Sequence, residues 1–337
     1  MAQLTYMEAA WSAISAEMRA DSRVFVMGQD LEIEAAPVAL EFGTDRVRNT
    51  PISEAGFIGA ALGAALTGMR PIVELGCSTF LYSAMDQVVN QAAKSRYMFG
   101  GQANVPLLIR APVLYGMSLA AHHSDRPWAI FSQAPGLKVI VPSTPYDVKG
   151  LLKSALHDGN PVICFDDYNL VDRRGEVPDG DYAVPLGVAD IKRVGTDVTL
   201  VSLGACVHTG LVAAQTLAEQ GISMEVLDLR TIVPLDRATI LKSVKKTGRL
   251  IVVDPAPGMC SVASEVAAMV AERAFDHLKS AIVRLTAPDV PVPFSPELEA
   301  LMFPTADAIV AQAKATFLMK KHERLCPNLS DTQEVVS

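Results

Sequence analysis

The chain has 337 residues, enough to bury two hydrophobic cores, so two domains are expected. Half of the residues are apolar and the net charge is −8 with both signs interspersed, which leaves no basic, aromatic-studded surface for nucleic acid. The longest near-apolar stretch, residues 55–66, is too short and too glycine-rich to span a bilayer.

Taken in chain order, short apolar runs alternate with longer helical patterns. Residues 24–27, 71–74, 107–110, 139–141 and 162–165 read as strands. Residues 7–18, 54–67, 85–97 and 145–157 read as helices between them. That alternation implies a parallel sheet with helices on both faces. The polar segment 172–182, which carries Gly, Pro and Asp, reads as a linker. A second series follows, with strands at 198–203, 224–228, 250–253 and 281–285 and helices at 209–219 and 261–275. Pro288, Pro291, Pro293 and Pro296 mark an extended stretch before a last helix at 306–319. The expected architecture is α/β with two doubly wound domains: residues 1–175, a linker at 176–190, a smaller domain at 191–320 and a polar tail at 321–337.

The cysteines, Cys77, Cys164, Cys206, Cys260 and Cys326, lie far apart with no CxxC spacing. That argues against a zinc site and against a disulfide framework. The first residues lack the charged and apolar regions of a secretory signal, so a reducing, cytoplasmic compartment is expected.

Residues 50–59 read Thr-Pro-Ile-Ser-Glu-Ala-Gly-Phe-Ile-Gly. Pro51 cannot lie inside a helix, so the helix begins after it, with Ser53 as a natural N-cap. Gly56, Gly59, Ala60, Gly63 and Ala64 recur at three- and four-residue spacing, a stripe nearly free of side chains on which another backbone could lie. Glu54 stands at the mouth of this helix. Taken alone, a first-turn Glu complements the helix dipole. Further on, Ala121-His122-His123-Ser124 places two imidazoles in a loop, where their ring nitrogens need partners.

These residues do not stand alone. Thr50-Pro51-Ile52-Ser53-Glu54, Asp86-Gln87-Val88-Val89-Asn90-Gln91-Ala92-Ala93-Lys94, Tyr97-Met98-Phe99-Gly100-Gly101-Gln102, the His122-His123 segment and Pro135-Gly136-Leu137-Lys138-Val139-Ile140-Val141-Pro142-Ser143-Thr144-Pro145 form a set. The set resembles the beta subunit of the decarboxylating component of 2-oxo acid dehydrogenase complexes, of pyruvate, acetoin or branched-chain type. The resemblance runs from about Leu4 to about Lys320. It implies a transketolase-like pyrimidine-binding domain followed by a transketolase C-terminal-type domain, and thiamine diphosphate as cofactor.

By that resemblance, Glu54 is the carboxylate that works against the cofactor's aminopyrimidine, a task suited to a group that can share a proton. Phe80 is the aromatic set against the same ring. His123 is a proton donor and orienting group for the substrate, with His122 beside it. Leu107, Ala155, Asp158 and Asn160 form the loop that holds a potassium ion in relatives. Without the resemblance, that loop reads as a helix end turned by Gly159. No Gly-Asp-Gly metal motif occurs in the chain; Asp179-Gly180-Asp181 has the order inverted. The resemblance therefore implies that an alpha subunit holds the diphosphate and its magnesium, that a second beta subunit completes the assembly, and that a lipoyl-bearing acyltransferase accepts the product.

Two departures stand out. Gln29 occupies the place of an acid in Gly28-Gln29-Asp30, and the loop that follows is shortened. Arg126-Pro127-Trp128 replaces a more polar run. Both are expected beside the substrate entrance. A split transketolase-like subunit and a non-catalytic scaffold subunit are the competing readings, and acetoin and pyruvate lead among substrates.

Overall fold

The computed structural model describes residues 1–29, 31 and 36–318. Most of the loop read as shortened, residue Cys326 and the polar tail at 321–337 lie outside the described residues.

The chain starts with strand β1 (Ala2–Thr5) and the helix Tyr6–Ala20. Thr5 and Glu8 cap that helix reciprocally: Glu8 N–H donates to Thr5 Oγ1 at 3.1 Å, and Thr5 N–H donates to Glu8 Oε2 at 2.7 Å. Its apolar face, with Tyr6, Ala10, Ile14 and Met18 buried, packs on the helix Pro145–His157. Strands β2 (Val24–Gly28), β3 (Val47–Asn49), β4 (Arg70–Glu74), β5 (Leu108–Val113), β6 (Lys138–Ile140) and β7 (Val162–Asp167) follow. They lie in the order β6-β7-β5-β4-β2-β3, all parallel. β7 is buried on both faces, as a central strand between two helix layers must be, which explains its continuous Val-Ile-Cys-Phe run. Truncating Phe165 there would cost about 3–5 kcal/mol.

β8 (Arg174–Val177) lies inside the segment read as a linker and pairs antiparallel with β1. Its alternating polar sequence suits a two-stranded edge ribbon and does not stand out as apolar. The second sheet comprises β9 (Asp190–Arg193), β10 (Val198–Ser202) and β11 (Met224–Asp228). After β12 (Thr231–Val233) come β13 (Leu250–Pro257) and β14 (Val283–Ala287). Its order is β14-β13-β10-β11-β9, parallel except for β9. β12 leaves that sheet and joins the first one, antiparallel to β6.

The helix read over 85–97 is a composite. A 3₁₀ segment Ser78–Ala84 leads to a π-helical segment Asp86–Ala92 and then to the α-helix Ala93–Met98. The Ala93 N–H donates to the Val88 carbonyl, one residue further back than in an α-helix. The helix Arg237–Thr247 has no counterpart among the expected elements. Asp236 caps it and Gly248 ends it in the left-handed region at φ 77°, but its lysines hide its narrow apolar face.

Charged groups join the two sheets. Asp147, fully buried, lies 2.7 Å from Lys192 and 2.6 Å from Arg230; both cations also reach Asp190, at 2.8 and 3.0 Å. Ser143 Oγ donates to the buried Asp228, whose carboxylate also accepts from Arg230 N–H at 3.0 Å and lies 3.5 Å from Lys192. Burial, and then the adjacent Asp147 charge, push the Asp228 carboxyl up to about 6.

Candidate active site

Four neighbouring parallel strands deliver the candidate residues from one edge of the first sheet. Ligands of open α/β sheets bind outside the carboxyl ends of strands. Gln29 follows the end of β2, the Glu54–Leu66 helix follows β3, Phe80 follows β4, and the two histidines follow β5. Gly28 makes the first placement possible: a Cβ there would come within 2.2 Å of the Glu74 carbonyl oxygen on β4.

Glu54 is half-buried and oriented by neutral donors. Gln29 Nε2–H donates to Oε1 at 2.9 Å, and Ser83 O–H donates to Oε2 at 3.2 Å. Ser83 Oγ also reaches the Phe80 carbonyl at 2.8 Å. The Phe80 ring meets the His123 ring edge-on, with centroids 5.6 Å apart. One chain of contacts thus runs Gln29, Glu54, Ser83, Phe80, His123. Ser53 stands at the N-cap position, but its hydroxyl makes no cap hydrogen bond. Gly56, Ala60 and Gly63 are exposed, and a Cβ at Gly63 would touch nothing in this chain.

The histidines sit in a short 3₁₀ turn, Ala121–His123, pinned from beneath by the 3₁₀ segment after β4. Thr79 O–H donates to the His122 carbonyl at 2.6 Å, Cys77 S–H to the His123 carbonyl at 3.4 Å and Ser78 O–H to the Asp125 carbonyl at 3.1 Å. Tyr82 O–H donates to Asp125 Oδ2 at 3.0 Å; burial, and then that carboxylate, hold its hydroxyl well above the ordinary phenol range. Thr79, Phe80, Tyr82, Ala121, His122 and Asp125 line a cavity of about 700 Å³ whose far wall is Pro257, Met259, Asp289 and Val290 of the second domain. A larger cavity of about 830 Å³ lies near Ile232, Leu235 and Val262, but its charged residues Arg237 and Glu265 satisfy each other at 3.3 Å. The smaller cavity is where polar groups converge.

Two expectations change. Arg126 and Trp128 are 4% and 1% exposed, so they do not line an entrance. Arg126 Nε donates to the Pro255 carbonyl at 2.9 Å, and its guanidinium lies over the rings of Tyr115 and Phe303, at 5.6 and 5.0 Å. Gln29 acts on Glu54 directly.

Leu107, Ala155, Asp158 and Asn160 do come together. The Asp158 carboxylate accepts from Asn160 N–H at 2.9 Å and Nδ2–H at 2.8 Å, and is paired with the Lys138 ammonium. The Ala155 carbonyl accepts from Asp158 N–H at 3.2 Å, and the Leu107 carbonyl from Val162 N–H at 2.9 Å. Desolvation opposes it, but the Lys138 and Asn160 hydrogen bonds hold Asp158 below its ordinary value. Among the described residues, no group of three His, Cys, Asp or Glu side chains could hold a metal, and no helix is long and apolar enough to cross a membrane.

Sequence reasoning missed Ser83, Thr79 and Cys77. A polar-aromatic run directly after a strand was the available signal. It also missed Glu299, whose role rests on contacts across about 180 residues of chain, with no local signature.

Residues 2–170 match the family model described as transketolase, pyrimidine binding domain, and residues 187–309 the one described as transketolase, C-terminal domain. Over 317 residues the chain is 48% identical to the acetoin:2,6-dichlorophenolindophenol oxidoreductase subunit beta of Bacillus subtilis, covering 89% of this chain and 93% of that one. It is 41% identical to the 2-oxoisovalerate dehydrogenase subunit beta of the same species, covering 92% and 98%. It is 44% identical to the pyruvate dehydrogenase E1 component subunit beta of Rhizobium meliloti, covering 94% and 70%. A solved structure of a split gene transketolase, an inactive beta4 tetramer, shares the fold with a TM-score of 0.79 at 22% identity, covering 94% of this chain and 99% of that one.

Proposed function

Because the chain belongs to the family of beta subunits of thiamine-dependent acetoin and 2-oxo acid dehydrogenases, we propose that Glu54, Phe80, His122 and His123 form its half of an active site shared with an alpha subunit. The observation that carries this is the continuous chain of contacts from Gln29 through Glu54, Ser83 and Phe80 to His123, with Phe80 and His122 lining the cavity between the domains.

The residues fit thiamine diphosphate. Glu54 offers a carboxylate with both oxygens oriented and lone pairs to spare, and Phe80 offers a ring beside it. The cofactor, when bound, supplies a nucleophilic carbon. Glu54 would present its carboxylate to a ring nitrogen of the cofactor and exchange a proton there. Gln29 serves this better than an acid would: a second carboxylate beside Glu54 would repel it or share its proton, whereas the amide only orients it. Phe80 excludes water and fixes the heterocycle. His123 presents an imidazole that donates or takes a proton at the substrate oxygen, and His122 binds at the rim.

Acetoin leads as substrate, with pyruvate next, since two relatives at 48% and 46% identity carry acetoin in their names. The diphosphate and magnesium fall to the alpha subunit, which brings the Gly-Asp-Gly motif. The exposed Gly56, Ala60 and Gly63 stripe, with Ile52 83% exposed just before the same helix, suits packing against other subunits in an alpha-two beta-two assembly. The acyl group passes to a lipoyl-bearing acyltransferase. At Leu107, Ala155, Asp158 and Asn160 a potassium ion would share Asp158 with Lys138.

Calorimetric titration tests the reading. The isolated chain is expected to bind thiamine diphosphate with magnesium weakly, and the chain with its alpha subunit tightly and with acetoin-dependent dye reduction. Tight binding by the isolated chain, or an assembled enzyme inert toward acetoin and 2-oxo acids, would overturn it.

A further inference from the structure

We propose that Glu299 is a positioning residue that clamps the histidine loop from the second domain. Glu299 closes the short helix Pro296–Glu299, in the proline-rich stretch between β14 and the last helix. Its side chain reaches the loop between β5 and the histidines. There Gly116 N–H donates to Oε1 and Ser118 N–H to Oε2, each at 2.7 Å.

Three observations make this more than a surface contact. Glu299 is only 2% exposed, and among the described residues no lysine or arginine pairs with it. A buried carboxylate normally needs a counter-charge; this one is satisfied by backbone N–H groups of the loop. The loop is also strained. Gly116, Ser118 and Ala120 have φ of 79°, 56° and 60°, the left-handed region that non-glycine residues avoid. Such backbone persists only where its surroundings over-determine it. Finally, the loop has little apolar burial to hold it, since Met117 and Leu119 are exposed. Its restraints are polar, and the bidentate one comes from Glu299. Phe303, four residues on, packs against Tyr115 with ring centroids 4.8 Å apart and shares Arg126 with it, so the same segment also braces the loop's base.

The consequence is that the second domain does not merely wall the cavity. It sets the geometry of the turn that carries His122 and His123. This rests on the reading that those histidines face substrate.

The test uses Glu299→Gln and Glu299→Ala in the assembled enzyme, each alone and combined with His123→Ala. Hydrogen exchange at the Gly116 and Ser118 amides is read in parallel. Glu299→Ala is expected to strip protection from those two amides and lower kcat by about 10²-fold, the scale for misplacing a catalytic group from a distance. Glu299→Gln, which keeps one acceptor oxygen, should lower kcat about tenfold, and it carries the test if Glu299→Ala fails to fold. In the His123→Ala background, either change should cost less than about twofold, because two residues acting through one group are not additive. Full additivity with the fold intact would reduce Glu299 to a structural residue. Unchanged amide protection would remove the clamp. If the unaltered assembly turns over no acetoin or 2-oxo acid, the functional reading fails by itself, and the exchange data still decide whether Glu299 holds the loop.

Discussion

Two sets of carboxylates in the first domain are held in opposite ways. Arg110 lies between Glu74 and Asp166, all three at most 3% exposed, with Nη1–H donating to Glu74 and Nε–H to Asp166, each at 2.9 Å. Tyr6 O–H adds a bond to Asp166 at 2.7 Å, and the Trp11 ring covers the guanidinium at 5.0 Å. Both carboxylates there share one cation inside the protein. Glu54, on the helix after β3, is half-buried, and its partners Gln29 and Ser83 are neutral. They fix where its oxygens point and leave its charge unspent. A carboxylate cancelled by a cation holds structure; a carboxylate aimed but not cancelled is available for chemistry.

Substitutions can break that contrast. Glu54→Gln should leave folding and assembly nearly intact and lower turnover toward the upper end of about 10²–10⁴-fold, measured by steady-state kinetics on the assembled enzyme. Retention of more than about a tenth of the activity would make Glu54 a helix-dipole residue. Arg110→Met should do the reverse. It takes the shared cation away from two buried carboxylates and should cost about 3–5 kcal/mol by denaturant unfolding, with the site chemistry of the surviving folded fraction unchanged. His123→Ala should lower kcat by about 10²-fold while cofactor affinity holds, with His122→Ala smaller and falling on KM. A larger loss at His122 would exchange the two roles.

The junction between the domains offers a third kind of carboxylate and a pH test. Asp228 is buried beside Asp147, Asp190, Lys192 and Arg230, and its folded pKa is raised to about 6. A raised pKa means the folded state holds the proton more tightly. The contribution to stability is therefore full below about pH 4, the unfolded value, and is lost as pH rises through about 6. Asp228→Asn should flatten that part of the curve of Tm against pH, a difference of about 3 kcal/mol between the two proteins. Parallel curves for both would show that Asp228 titrates normally.

Much of this was legible from residue order alone. The alternation of apolar runs and helical patterns located most strands of both sheets, and Pro51, Glu54 and the small-residue stripe marked the site helix. What stayed hidden was non-local. The Arg126 side chain is buried because Phe303 closes over it, and nothing near position 126 announces that. β8 is a polar edge strand whose pairing depends on residues 2–5 at the other end of the chain. Gln29 reads as a lost acid until its amide is seen on Glu54. The π-helical turn at Asp86–Ala92 differs from an α-helix by one residue in its hydrogen bonding, and over seven residues the apolar pattern does not separate the two.

β12 has a bearing on how the chain is made. The β6 edge of the first sheet is covered by Thr231–Val233, which are synthesised after the whole first domain and three strands of the second. As the polypeptide leaves the ribosome, every residue of the parallel sheet is available while β6 still presents unpaired N–H and C=O groups. A bare edge of this kind recruits strands from other molecules. Expression of residues 1–185 alone would leave that edge permanently open, and such a fragment is the form in which this protein would aggregate.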